Sequence, residues 1–319
     1  MAAEAAPASE VVESGSRIDC GMTEAPTAAV AETGATTRLA DYLELTKPGI
    51  AVLVLVVTGV GYGLGAVGGF DANVLLACLA GTGLLGGGAS ALNQYFERRY
   101  DALMARTERR PLAAGRLQPW EGLALGVILG AAGSLVLLLG IGTLACAMGL
   151  VTFLSYAFVY TPLKRRTAWA LLIGAVPGAL PPVIGWSAAR GDLAVDAWVI
   201  FAIVFAWQIP HFLSISWLYR EDYRSAGFPT FATRDDTGVT TARQTVLTIL
   251  ILILVSFVPV VTGLTGFLYV VGASGLGVLF LWSGVLFALD RSSLRARRVL
   301  QASLVYLPVL LILIVSDKT

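Results

Sequence analysis

Nine apolar segments follow one another along this 319-residue chain. Each is close to the length at which a helix crosses about 30 Å of hydrocarbon. Charged residues make up only 13% of the chain, against about 25% in soluble domains. The sequence therefore predicts an all-α polytopic membrane protein with nine transmembrane helices. The predicted spans cover approximately residues 48–69, 74–94, 120–141, 143–161, 168–188, 196–217, 245–264, 267–288 and 299–315.

The basic residues predict how these spans are oriented. With nine spans, 20 of the 22 lysines and arginines fall on one side of the membrane, and only Arg190 and Lys318 fall on the other. Positive charge favours the cytoplasmic side. We therefore expect a cytoplasmic N-terminus and an external C-terminus in the cytoplasmic membrane of a bacterium. Removing one span in mid-chain would scramble the segregation, so the charges also support the number of spans.

Residues 1–40 differ in composition from the rest of the chain. They are rich in Ala, Glu, Ser and Thr without periodicity, which predicts a disordered tail before a nine-helix domain at 41–319. A mitochondrial transit peptide would be basic and poor in acids, whereas Arg17 is the only basic residue among the first 37. Met22 is an alternative start to Met1.

Other features exclude some classes of function. The net charge of +1 carries no indication of nucleic acid binding. His211 is the only histidine, which excludes a metal or haem site built from several histidines of this chain. The cysteines, Cys20, Cys78 and Cys146, lie far apart and predict neither a metal site nor a disulfide framework.

The most charged segment, residues 93–116, lies between the second and third predicted spans. Asn93, Glu97 and Asp101 recur every four residues, so a helix would place them on one face. Such oxygen ligands suit Mg²⁺, and the six arginines of the segment suit phosphate oxygens. Together they indicate a diphosphate site. A solvated, arginine-rich cytoplasmic loop is the alternative, although it explains the spacing of the three oxygen side chains less well.

A second acidic segment lies between the sixth and seventh predicted spans. Glu221 and Asp222 follow an even-numbered span, as Glu97 and Asp101 do. This arrangement suggests a parallel internal duplication with two metal-binding walls facing each other. Asp235 and Asp236, beside Thr237 and Gly238, are more typical of a turn or a helix cap than of a metal ligand.

Two predicted spans contain helix-disturbing residues. Pro177, Pro181 and Pro182 in the fifth span predict a kink, which either serves packing or shapes a substrate cavity. Pro210 and His211 lie in the sixth span. A histidine in a membrane usually faces the protein interior, either as a hydrogen-bonded polar group or as a functional residue.

Several motifs in order resemble the UbiA superfamily of intramembrane prenyltransferases, and within it the haem O synthase subfamily. Asn93, Gln94, Glu97 and Asp101 occupy the first acidic motif, in which Gln94 and Glu97 depart from the general pattern but match the subfamily. In the second motif, Ala226 stands where the general pattern has an aspartate four residues after Asp222. The resemblance covers roughly 41–315. The other matching blocks are Met104, Arg106-Thr107, Arg110-Pro111-Leu112, 160–167, 174–186, 207–212 and 222–229, followed by Thr230 where the family often has Met.

The resemblance implies transfer of the farnesyl group of farnesyl diphosphate, with addition of water, to a vinyl group of haem B (protoheme IX), giving haem O. It implies Mg²⁺ as cofactor and a lipid bilayer as environment. An enzyme that oxidises haem O to haem A is the functional partner that the family suggests.

The resemblance also suggests a role for each site residue. The implied metal ligands are Asn93, Glu97, Asp101, Glu221 and Asp222, with either Glu221 or Asp222 acting in the second motif. The implied diphosphate contacts are Arg106, Arg110 and Lys164, and the implied haem contacts are Arg165, Arg166 and His211. His211 would contact haem or orient a water. Asn93, Glu97, Asp101, Asp222 and His211 form the implied catalytic set.

Three other functions remain open at this point. The acceptor could be another ring, such as a quinone precursor or a chlorophyll-type ring, although the Arg-Thr-x-x-Arg-Pro and Trp-Gln-x-Pro-His blocks oppose this. A transporter would place ionisable groups near the bilayer midplane, whereas most acids here lie at the cytoplasmic rim. A scaffold that delivers haem without catalysis would not need the acidic column.

Overall fold

The computed structural model describes residues 35–319, and in this part of the chain nine helices are long and apolar enough to cross a membrane. The predicted all-α fold with nine spans is therefore confirmed, and the chain is an integral, multi-pass membrane protein. Spans one to nine are Pro48–Gly65, Ala72–Asp101, Pro119–Gly140, Thr143–Leu163, Ala170–Arg190, Val195–Leu218, Val239–Val261, Phe267–Leu289 and Ser293–Ser316. The short helix Arg220–Ser225, here called the loop helix, follows span six.

Another helix, Ala35–Leu45, precedes span one. It begins inside the segment that the sequence assigned to the tail, so residues 35–40 are helical, while residues 1–34 lie outside the described residues. Arg38 and Tyr42 both donate hydrogen bonds to the buried Glu121 at the start of span three. Arg116, in the loop between spans two and three, forms an ion pair at 2.8 Å with Asp41, which lies on the N-terminal helix. These contacts hold the N-terminal helix against the loop between spans two and three.

Glycines set the closest approach between helices. A Cβ added to Gly61 in span one would lie 2.0 Å from the carbonyl oxygen of Pro182 in span five. A Cβ on Gly185 would lie equally close, 2.0 Å, to the carbonyl oxygen of Thr58. Spans one and five therefore touch backbone to backbone, as small residues allow in membrane proteins.

Two spans depart from a regular α-helix. Span four contains a π-helical stretch, Ser155–Tyr160, between α-helical segments. Span five is divided at Leu180 into Ala170–Ala179 and Pro181–Arg190. The break is explained by Pro181 and Pro182, which lack the backbone N–H groups that would continue the hydrogen-bond ladder. The kink predicted in span five is thus present.

The loops that follow even-numbered spans meet at one end of the bundle, here called the cap. Ser225 in the loop helix donates a hydrogen bond to the carbonyl oxygen of Leu103, after span two. Trp217, at the end of span six, donates one to the carbonyl oxygen of Arg291, after span eight. At the opposite end, Lys318 donates to the carbonyl oxygen of Leu64 in span one. This alternation of ends agrees with nine spans and places both acidic segments in the cap.

Candidate active site

The column of Asn93, Glu97 and Asp101 lies on one face of span two where it enters the cap. Their exposed fractions are 3%, 1% and 1%. They are therefore not part of a solvated loop, and the arginine-rich loop interpretation fails for this face. An uncompensated carboxylate would be very costly at such burial, so each one needs a partner.

Each member of the column has a cationic partner from a different part of the chain. The Lys47 ammonium donates to Oδ1 of Asn93 at 3.0 Å. Two ion pairs complete the arrangement: Lys164 with Glu97 at 3.1 Å, and Arg110 with Asp101 at 2.8 Å. Two carboxylates, one amide and three basic side chains thus form a compact group.

Lys47 is a candidate site residue that the sequence analysis missed. It joins the N-terminal helix to span one, and its φ of 51° is the only positive φ of a non-glycine among the described residues. Pro48 begins span one directly after it. Burial, followed by the nearby Arg110 guanidinium, lowers the pKa of Lys47 to about 7. A lysine followed by proline at the start of an apolar span was the signal available in the sequence.

Lys164 reaches the column from the end of span four. The π-helical stretch brings Thr161 to the column, where its hydroxyl accepts a hydrogen bond from the Asn93 amide at 3.2 Å. Burial alone would lower the pKa of Lys164, but the Glu97 carboxylate more than offsets this, so the pKa lies above its usual value. Lys164 therefore remains a cation.

The second acidic segment has a different environment. Glu221 is 68% exposed and pairs with Arg224 at 3.0 Å, so it points away from the column. Asp222 is half-buried, and its carboxylate makes no hydrogen bond or ion pair within residues 35–319. Of the two candidates, Asp222 is the one whose oxygens are available to a ligand. Among the described residues, no three Asp, Glu, His or Cys side chains converge closely enough to hold a metal, so the two segments do not form one shared carboxylate cluster.

Aromatic side chains connect the second segment to the first. Tyr223 and Phe228 pack with Met104 in a buried cluster. The Arg106 guanidinium lies 4.5 Å from the centre of the Tyr223 ring, which is a cation–π geometry. Arg106 therefore lies in the cap, stacked on a tyrosine ring.

The other predicted residues of the cap are more peripheral. Arg165 lies 5.2 Å from the ring centre of Tyr100, and Arg166 is exposed. Asp235 accepts backbone hydrogen bonds from Gly238 and Thr241 at the start of span seven. It is thus a helix cap, as the sequence predicted.

Beneath the column lies an apolar cavity of about 590 Å³. Tyr156, Tyr160, Trp207 and His211 contribute to its wall, which contains no acidic side chain, lysine or arginine among the described residues. A smaller pocket of about 320 Å³ is lined by Lys47, Gln94 and Arg110, and the two spaces share Gly49 and Ile50. The column and the smaller pocket are here together called the mouth, and the apolar cavity is called the chamber. A charged mouth next to an apolar chamber suits a substrate with an anionic head and an apolar tail.

His211 lies in the wall of this chamber. Its Nδ1 is 2.8 Å from the hydroxyl oxygen of Ser303 in span nine. Its ring stacks on Trp207 with 4.8 Å between ring centres. The histidine is therefore a hydrogen-bonded interior group that also reaches the cavity.

The comparison with protein families agrees with this geometry. The model of the UbiA prenyltransferase family matches residues 54–307, and the chain belongs to this family. It is thus a membrane-embedded prenyltransferase, a class that needs both an apolar chamber and a diphosphate site.

The relatives define a narrower group. The chain is 48% identical over 287 residues to the protoheme IX farnesyltransferase of Solibacter usitatus, covering 87% of this chain and 98% of the relative. It is 41% identical over 284 residues to the protoheme IX farnesyltransferase of Salinibacter ruber, covering 87% and 98%. The resemblance to the haem O synthase subfamily is confirmed by these relatives.

Solved structures support the fold. A digeranylgeranylglyceryl phosphate synthase is similar with a TM-score of 0.73 and 15% identity, covering 88% of this chain and 98% of that one. A UbiA homologue from Archaeoglobus fulgidus bound to GPP and Mg²⁺ has a TM-score of 0.60 and 14% identity, covering 86% and 99%. At such identities the likeness concerns the fold alone.

Proposed function

We propose that the protein transfers the farnesyl group of farnesyl diphosphate, with addition of water, to a vinyl group of haem B, releasing diphosphate and forming haem O. The observation that carries this proposal is the buried, cation-paired column of Asn93, Glu97 and Asp101. Its partners Lys47 and Arg110 line a pocket that shares Gly49 and Ile50 with the apolar cavity. The names of the relatives support the acceptor.

The column fits Mg²⁺ by its donor chemistry. One amide oxygen and two carboxylates are hard oxygen donors, and Mg²⁺ typically binds one or two carboxylates together with substrate phosphate oxygens. Asn93, Glu97 and Asp101 would hold the ion, and Asp222 would serve a second ion or the far side of the diphosphate. Bound Mg²⁺ would stabilise the negative charge that grows on the leaving diphosphate. The exposed Glu221 is the weaker candidate for this role.

The basic side chains beside the column are the proposed ligands of the diphosphate. Lys164 and Arg110 pair with the carboxylates of the column in this structure. Phosphate oxygens can accept the same charge-assisted hydrogen bonds from these two side chains. We expect both to move to the diphosphate when substrate and Mg²⁺ arrive. Lys47 is a further proposed diphosphate contact, because it lines the same pocket as Arg110. Arg106, which stacks on Tyr223, is also a proposed diphosphate contact.

The chamber protects the reaction from water. Departure of diphosphate leaves an allylic cation, which bulk water would capture. A water-poor cavity limits this side reaction. The farnesyl chain and the porphyrin are both apolar enough to enter from the bilayer. Arg165 and Arg166, at the cap, are the proposed partners of the haem propionates.

The proposal includes an orientation and a partner. Because the cap contains most of the basic loops, it faces the cytoplasm of a bacterial cell, with the C-terminus outside. An enzyme that converts haem O to haem A would take the product. Another ring acceptor is the second candidate, since the mouth would serve any prenyl diphosphate. A transporter is disfavoured because the acidic side chains of the described residues lie near the ends of the spans, most of them in the cap.

The test uses the full chain in liposomes with haem B, farnesyl diphosphate and Mg²⁺. Mass spectrometry of the extracted haem should show a product heavier by one farnesyl group plus one hydroxyl, and EDTA should abolish it. In parallel reactions, geranylgeranyl diphosphate replaces the farnesyl donor and an aromatic acid replaces the haem acceptor. Unchanged haem from folded protein, together with a prenylated aromatic product, would contradict the haem assignment.

A further inference from the structure

The hydrogen bonds around His211 favour one tautomer of its ring. Ser303 is fully buried, and its hydroxyl donates its single proton to the carbonyl oxygen of Leu300 at 2.6 Å. While the proton is engaged there, the hydroxyl oxygen is free to accept from His211, whose Nδ1 lies 2.8 Å away. Nδ1 then carries the ring proton, and Nε2 of the neutral imidazole carries a free lone pair.

The same serine and a tryptophan fix the direction of the ring. Trp207 stacks on His211 at an angle of 25° and donates its indole N–H to the backbone oxygen of Ser303 at 2.7 Å. Phe212 meets the imidazole edge-on, with 5.4 Å between centres. Nε2 has no hydrogen-bond partner within residues 35–319. The ring is thus held with one unused polar atom, on a residue that lines the apolar cavity.

We propose that Ser303 is a positioning residue that presents the Nε2 lone pair of His211 to the cavity, where Nε2 accepts a proton from the water that adds to the farnesylated vinyl group. This inference rests on the proposed function. It gives the histidine one task, which is general-base catalysis of the hydration step.

The chemistry of this step balances. The terminal vinyl carbon forms a bond to the first farnesyl carbon as the bond to diphosphate breaks. The positive charge then lies on the vinyl carbon next to the porphyrin, which stabilises it by conjugation. The water oxygen bonds to that carbon, and one water proton moves to Nε2, giving an imidazolium. Without an oriented water, the cation instead loses a proton from the neighbouring carbon and becomes an alkene, one water lighter.

The rest of the cavity wall offers no equivalent base. Tyr156 and Tyr160 also line the cavity, but neutral phenols are poor proton acceptors. Glu97 and Asp101 belong to the charged mouth and are paired with cations. His211 is therefore the basic side chain that the described residues bring to the chamber.

The ratio of hydroxylated to alkene product tests the proposal. His211→Asn retains an amide N–H for Ser303 but has no proton acceptor, so we expect hydration to slow about 100-fold and alkene to accumulate. Ser303→Ala frees the tautomer and should lower the ratio about 10-fold, whereas Ser303→Thr keeps the hydroxyl and should restore it. Ser256→Ala removes another buried serine hydroxyl, bonded to Tyr306, and should leave the ratio unchanged.

Two results would overturn the inference. One is an unchanged product ratio in Ser303→Ala, even with a lower rate, because a merely structural role changes the rate alone. The other is a haem absorption spectrum, recorded without farnesyl diphosphate, that changes specifically on His211→Asn, since this would show Nε2 bound to the iron. Failure of the proposed function is seen separately, when the unaltered protein makes no heavier haem, and it would remove this inference as well.

Discussion

The two acidic segments of the cap began as a pair of similar motifs, but the structure gives them different environments. The first is built into a membrane-spanning helix and is buried, with a cation for each of Asn93, Glu97 and Asp101. The second lies on the six-residue loop helix, where Glu221 faces solvent and Asp222 is half-buried. The comparison indicates that the charged groups of the first segment are already in place before substrate binds. We expect the second segment to contribute less to substrate binding and turnover. Five variants examine this difference.

The largest effect is expected from Asp101→Asn. The change removes a charge that Mg²⁺ would need and leaves Arg110 without its 2.8 Å partner. We expect kcat to fall by about 100- to 1000-fold, as on loss of a preorganised electrostatic group. Turnover in liposomes at saturating substrate measures it, with thermal unfolding as the control for folding. More than a tenth of normal activity would remove Asp101 from the site.

Lys47→Met should have the next largest effect. It removes the cation that pairs with Asn93 at 3.0 Å and lines the charged pocket. A hydrogen bond to a charged group is worth about 1.5–3 kcal/mol, so KM for farnesyl diphosphate should rise about 10- to 100-fold. Lys318→Met, at the opposite end of the bundle, is the matched control and should leave KM unchanged. Equal KM values for the two variants would contradict the role given to Lys47.

Asp222→Asn and Glu221→Gln divide the second segment. We expect Asp222→Asn to lower kcat/KM by about 10-fold, because its carboxylate is free to bind a ligand. Glu221→Gln should change it less than about twofold, since exposed ion pairs contribute little. Parallel titrations with Mg²⁺ show whether the metal dependence shifts only in the first variant. The reverse order of effects would place Glu221 at the substrate.

A smaller effect than that of Asp222→Asn is expected from Ser225→Ala. The hydroxyl shares its proton between the carbonyl oxygens of Leu103 and Asp222, at 3.0 and 2.9 Å, and so connects the two segments. A net hydrogen bond is worth about 1 kcal/mol, which predicts a rise in KM of up to about fivefold. Ser274→Ala, on an exposed face of span eight, removes a similar hydroxyl away from the cap. A larger effect in Ser274→Ala would show that the loop helix is held by other contacts.

Local patterns predicted much of this arrangement. The lengths of the apolar runs gave nine spans, and the four-residue spacing placed Asn93, Glu97 and Asp101 on one face. What the sequence could not give was contact between distant parts of the chain. Lys47 lies 46 positions from Asn93, and Ser303 lies 92 from His211. Such pairs depend on helix packing, which leaves no periodic signal. The helical start at Ala35 was not predicted either. Glu121, which binds that helix through Arg38, lies 83 positions from Arg38.

The π-helical stretch in span four has a consequence for insertions and deletions. A π-helix accommodates about one residue more per turn than an α-helix, so Ser155–Tyr160 behaves as a one-residue insertion. Deleting one of these residues would restore a regular α-helix with little net rotation, because five α-helical residues turn the chain about as far as six π-helical ones. Thr161 and Lys164 would then still face Asn93 and Glu97. A deletion elsewhere in span four would instead rotate both residues by about 100° away from the column. The span is therefore expected to tolerate the loss of one residue within Ser155–Tyr160 but not in its α-helical part, whereas a membrane alone would not distinguish the two.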